Sequence, residues 1–160
     1  MSKFDFSNVE KQDQTAEPRP FEIHELTTEP VIHFRPATKA NLDYWNEVMR
    51  RADSGQSQKD IRAARKAAKK AGGYDPARAK QVQADDAAHF AKFCATAWDD
   101  VVDASGNEVK FSKSACEAFL TALPGYVFDR LRAWITNPAN FVERDPAEDG
   151  REVGKSSPGD

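Results

Sequence analysis

One stretch, from Ala87 to Phe141, limits what this chain can fold into. It holds both cysteines, Cys94 and Cys116, and two of the three tryptophans, Trp98 and Trp134. Apolar residues recur there at three- and four-residue spacing on either side of one polar turn, Asp103-Ala104-Ser105-Gly106-Asn107. That period belongs to helices with one buried face. Flanking segments are more polar or very short, so the main hydrophobic core has to form here. The expected fold class is mainly α: a small helical domain with an N-terminal β-hairpin and disordered termini.

Within this stretch the spacing predicts a helix from about Ala77 to Val102, capped by Asp75 with Pro76 at the first helical position. Phe90, Phe93, Cys94, Ala97, Trp98 and Val101 share its apolar face. Val109 and Phe111 alternate around Lys110 and read as a short extended segment laid across that helix. Ser112 or Ser114 caps the next helix, and Ser114 with Glu117 fits a capping box. Pro124-Gly125 makes a corner, and a last helix presents Val127, Phe128, Leu131, Trp134 and Ile135. Asn137-Pro138 stops it, leaving Phe141 to pack back. Trp98, Phe111, Leu120, Phe128 and Trp134 are the expected core scaffold.

Ahead of that core the chain reads in shorter pieces. Residues 1–19 form a flexible N-terminal arm, and 20–142 a single mainly helical domain. Residues 21–35, FEIHELTTEPVIHFR, alternate in period two on both limbs and predict a hairpin with Thr27-Thr28-Glu29-Pro30 as its turn. Pairing Leu26 with Val31 sets Ile23 against Phe34, His24 against His33 and Glu22 against Arg35. Thr38 then caps a helix over 38–52 with one apolar stripe: Leu42, Trp45, Val48, Met49 and Ala52. Residues 56–71 read as a basic helical insertion, alanine-rich with six cationic side chains. The helical core follows over 77–141. Residues 143–160 carry six acids and three bases with Pro and Gly, a disordered acidic tail.

Charge is unevenly spread. Gln56 to Lys80 holds eight Lys/Arg and two Asp, a local +6 in a chain of net −3, which leaves −9 elsewhere. The basic segment suits a solvated helix first and an acidic protein surface second, including self-association with the tail or another copy. Nucleic acid ranks lower, because no aromatic residue interleaves the cations to stack bases. No apolar run is long enough to span a membrane, and the N-terminus has no secretory h-region, so a cytoplasmic protein without membrane contact is expected.

No reaction centre emerges. His24 and His33 facing on a hairpin would supply two metal ligands, short of the three or four a site needs. Asp103-x-Ser105-x-Asn107 resembles the start of a calcium loop, but Glu108 stands at the glycine position and Ser114 at the bidentate glutamate position. Cys94 sits in an apolar stripe, where a thiol is inert. The expectation is a non-enzyme with no catalytic residues, metal or cofactor. Tyr44, Trp45, Arg62, Lys66 and Lys69 remain as candidate partner-binding residues.

Residues 90–141 resemble phage tail assembly chaperones of long-tailed phages and prophages. The features that carry this are Phe90 through Trp98-Asp99-Asp100-Val101, then Asp103-x-x-Gly106-Asn107-x-Val109-x-Phe111-Ser112, then Leu123-Pro124 and the aromatic-rich helix to Phe141. The opening from Phe21 to Ala52 is loosely similar too, while the basic helix departs from the simplest family pattern. The resemblance implies a non-enzymatic factor that holds the phage tape measure protein and brings tail tube protein to it. A structural tail or connector component of the particle is the alternative. A small nucleic-acid-binding regulator using 56–80 is the third reading.

Overall fold

The computed structural model describes residues 14–70 and 72–143, apart from the side chains of Gln56 and Ser57. Its fold is mainly α with one small antiparallel sheet. Strands β1 (Arg19–Glu22) and β2 (Val31–Phe34) come first. Helices α1 (Leu42–Asp53), α2 (Gln56–Lys70) and α3 (Pro76–Phe93) follow. Strand β3 (Ala95–Asp99) precedes α4 (Lys113–Ala122), α5 (Gly125–Ile135) and a 3₁₀ turn at Pro138–Phe141. The sheet order is β1-β2-β3.

The hairpin forms, but in a different register from the expected one. Arg19, not Ile23, stands opposite Phe34, and Glu22 opposes Val31 rather than Arg35. The turn lies at Leu26–Glu29, where Glu29 N–H donates to the Leu26 carbonyl at 3.0 Å and Glu29 adopts a φ of 45°. That turn shifts the pairing by four residues. An even shift keeps every side chain on its face, so Phe21, Ile23, Ile32 and Phe34 are still all buried. Pro20 costs no ladder bond that matters, because β1 is an edge strand.

The helix expected to reach Val102 ends at Phe93, and its last residues become a third strand. The reason lies in the carbonyls at its end. A helix leaves its final C=O groups unpaired. Here the Phe93 carbonyl accepts from Asn41 Nδ2, the Cys94 carbonyl from Arg35 N–H and the Ala95 carbonyl from Lys113 Nζ. Those donors come from parts of the chain remote in sequence, so helical spacing alone runs past the stop. β3 then pairs with β2, placing Trp98 opposite Ile32 and Asp99 opposite Val31.

The core lies between the sheet and helices α3, α4 and α5. Phe90 stacks on Phe128 at 5.9 Å. Trp98 meets Phe111 edge-on at 5.4 Å and Phe119 at 5.8 Å. Trp134 contacts Phe21 at 5.2 Å and Phe141 at 5.0 Å. Trp98, Leu120 and Phe128 are buried, and Phe111 and Trp134 pack partly buried against them. The Val109–Phe111 segment lies against the end of β3 and not against a helix: Val109 N–H donates to Val101 O, and Trp98 Nε1 to Val109 O. The polar turn is held by Asp103, whose Oδ1 accepts from Ser105 and Asn107 N–H, with Gly106 at a φ of 81°.

The arm expected over 1–19 is tied down from Gln14 onward. Gln14 bridges Val142, and Thr15 N–H donates to the Phe141 carbonyl at 2.7 Å. Residues 1–13, and the acidic tail from 144, lie outside the described residues.

Candidate functional site

Helix α1 begins at a buried asparagine. Asn41 is the N-cap, its Oδ1 accepting from Tyr44 N–H; it takes the place expected of Thr38, whose hydroxyl accepts from Ala40 N–H just upstream. Asp43 in the first turn and Arg50 and Arg51 in the last suit the helix dipole. The helix stops at Ser54, and Gly55 turns the chain with a φ of 73°, a conformation that favours glycine.

None of the 12 residues of α1 is buried, although the helix is strongly amphipathic. Its domain-facing side is mixed. The Tyr44 ring packs toward Phe90 at 6.4 Å, and burial pushes its phenol up to about 12. Arg51 donates to His89 Nε2 at 3.4 Å and pairs with Asp60 at 3.8 Å, while His89 Nδ1 bonds the Asp85 carbonyl. The apolar stripe of Leu42, Trp45, Met49 and Ala52 turns the other way. Leu42 is 66% exposed and Met49 47%. Lys39 Nζ stands 5.5 Å above the half-buried Trp45 ring. Of the two neighbouring aromatics proposed for partner contact, only Trp45 lies on the outward stripe; Tyr44 packs against the core.

Helix α2 presents a different surface. Ala64, Ala67 and Ala68 are half-buried, and Ile61 is 44% exposed. Arg62, Lys66 and Lys69 are exposed at i, i+4 and i+7, so they share one face. Arg78 of α3 reaches the Asp60 carbonyl at 3.5 Å and ties α2 to the body. A separate open groove runs between the start of α3 and the α4–α5 corner, lined by Tyr74, Arg78, Lys80, Val82, Leu123 and Pro124. At its side, Gln83 Nε2 donates to the Leu120 and Leu123 carbonyls and closes the end of α4.

The other sequence candidates are dispersed. His24 sits in the hairpin loop beside Glu22 at 3.0 Å and Glu29 at 3.3 Å. His33 opposes Pro20 and reaches Asp99 at 3.2 Å, so the two histidines do not face each other. Among the described residues no group of three or more His, Cys, Asp or Glu is placed to hold a metal ion. Burial raises the thiols of Cys94 and Cys116 to about 12. No helix among the described residues is long and apolar enough to cross a membrane.

Fold and surface together define a small, mainly helical protein that carries an amphipathic helix with an exposed apolar stripe, followed by a cationic helix. The chain belongs to the YdaY prophage protein family, which it matches over residues 40–155. That span takes in α1, α2 and the whole helical core, and leaves the hairpin outside. No curated protein and no solved structure matches the chain.

Proposed function

We propose that this prophage protein is a non-enzymatic tail assembly chaperone acting in the host cytoplasm. It holds the tape measure protein and helps recruit tail tube subunits. The observation that carries this is the outward stripe of Leu42, Trp45 and Met49 on a helix with no buried residue. A protein that masks apolar helical surface on a partner needs such a stripe exposed before the partner arrives. Membership of a prophage family and the resemblance of residues 90–141 to tail chaperones support the same reading.

Burying one large apolar side chain contributes about 1.5–3 kcal/mol, and association costs roughly 4–15 kcal/mol. Three such anchors, about 4.5–9 kcal/mol together at most, only roughly offset that cost. A contact resting on them is weak and readily reversed, which suits a factor that leaves before the tail is complete.

Two measurements test the role. Deleting the gene from an inducible prophage abolishes tails while leaving heads, and the chain is absent from mature particles by mass spectrometry. Tails that form normally without the gene sink the chaperone role. Stoichiometric recovery from particles replaces it with a structural tail or connector role.

A further inference from the structure

We infer that the surface of α1 and α2 takes one amphipathic helix whose apolar face is flanked by carboxylates. This deepens the assembly reading above and names the chemistry of the partner. Leu42, Trp45 and Met49 recur at i, i+3 and i+7, the spacing that meets the apolar stripe of a helix laid alongside. Their helix spans about 18 Å at 1.5 Å per residue, enough for three turns of such a partner.

Charge selects the flanks. Three acids of these helices are already matched, Asp43 to Arg35, Glu47 to Arg50 and Asp60 to Arg51, which leaves Asp53 at the end of α1 exposed without an ion pair among the described residues. Arg62, Lys66 and Lys69 form no ion pair among the described residues, and Lys39 stands over the Trp45 ring. Lys39 on the stripe and the three exposed cations of the neighbouring α2, set against Asp53 alone, leave positive charge in excess on the two helices, so carboxylates from outside complete them. A second copy of the chain fits poorly, because the same face meeting itself brings two cationic helices together. A phosphate backbone would use the cations but leave Leu42, Trp45 and Met49 uncovered.

The test uses the full chain and three probes, with binding read by calorimetry. One is a synthetic helix of about 20 residues with leucines along one seam and glutamates on its flanks. The second replaces the glutamates with lysines, and the third is a short DNA duplex. The glutamate helix is expected to bind saturably. Affinity falls at least about tenfold in L42S/M49S and again in R62E/K66E/K69E, while the charge-reversed chain gains affinity for the lysine helix. Thermal melts of both variants match the parent, which separates lost binding from lost folding.

Several results overturn the inference: no saturable binding of the glutamate helix, equal binding of both helices, or binding indifferent to charge reversal. Duplex binding that survives L42S/M49S assigns the surface to nucleic acid instead. A dimer seen by sedimentation and abolished by L42S/M49S assigns it to a second copy. Intact tails after gene deletion would sink the chaperone role and leave this inference standing; failure of the glutamate helix does the reverse.

Discussion

Asn41 Nδ2 donates to the Phe93 carbonyl at 2.9 Å, so the residue that starts α1 also ends α3. Asn41 is fully buried, and its amide lies 3.9 Å from the Cys94 sulfur. One side chain thereby fixes where the exposed helix leaves the core. Asn41→Ala removes the cap and leaves the part-buried Phe93 carbonyl without this donor. The expected loss is about 2–4 kcal/mol, from roughly 1 for the cap and 1–3 for the orphaned acceptor. Urea unfolding measures it. Asn41→Asp keeps the capping oxygen but sets a negative charge against the Phe93 carbonyl, and is expected to be no milder.

Trp98 makes the matching connection at the other end of the sheet. Its Nε1 donates to the Val109 carbonyl at 2.7 Å across the Asp103 turn. Trp98→Phe keeps most of the ring packing on Phe111 and Phe119 and loses the hydrogen bond. The cost is about 1–3 kcal/mol, because the Val109 acceptor loses its donor. Amide exchange at Val109, whose N–H bonds Val101 O, should quicken in the variant if this bond holds the segment in place.

Much of this architecture was legible in the sequence. The missing parts share a physical cause. Local chemistry was readable where one residue closes its own turn: Asp75 ahead of Pro76, Asp103 in its loop, and Ser112, the first of two candidate caps, whose Oγ accepts from Ala115 N–H. Facing was also readable, since period two puts Phe21, Ile23, Ile32 and Phe34 on one side at any even shift of the register. Register and the end of α3 were not, because Glu29's turn and the donors from Asn41, Arg35 and Lys113 are tertiary facts. For the candidate surface, periodicity found the α1 stripe and the cations of α2. It could not say that the domain would take only the Tyr44 side and leave Leu42 and Met49 outside.

The two thiols predict an alkaline response. Cys94 and Cys116 are both raised from an ordinary 9.0 to about 12 by burial. The unfolded chain therefore releases these protons first, and the folded state holds them. Stability is full below pH 9.0 and falls as pH rises toward 12. Urea midpoints measured across that window should drop more steeply for the parent than for Cys94→Ala, after allowance for its neutral-pH loss. At neutral pH both thiols should resist an aromatic disulfide reagent until denaturant is added.

Arg130 gives the opposite window. Its guanidinium donates to both Glu25 oxygens at 2.8 Å and stands 4.4 Å over the Phe21 ring. The hydrogen bond from Arg130 holds the Glu25 carboxyl below its ordinary 4.5. The pair's contribution is present above pH 4.5 and fades as pH falls through the lowered value. Glu25→Gln should therefore be slightly less stable than the parent at neutral pH and converge with it in acid. The difference stays small because the pair is at the surface. Arg130→Lys should lose more than Glu25→Gln, since lysine cannot reproduce the fork that also reaches the Glu22 carbonyl.

Stability and binding should separate most clearly on α1. Leu42 and Met49 are exposed, so replacing both with serine removes little buried area. The expected stability change is within about 0.5 kcal/mol per site. Leu120→Ala in the core should cost about 2–5 kcal/mol by contrast, since Leu120 is fully buried between helices. If the outward stripe is there to hold a partner, L42S/M49S melts like the parent and fails to rescue tail formation in a gene-deleted prophage. Leu120→Ala should lose rescue only in step with its lower folded fraction. A double variant that rescues fully would show that α1 is a solvated helix with an incidental apolar stripe. The measurement is plaque yield set against the thermal midpoint of each purified variant.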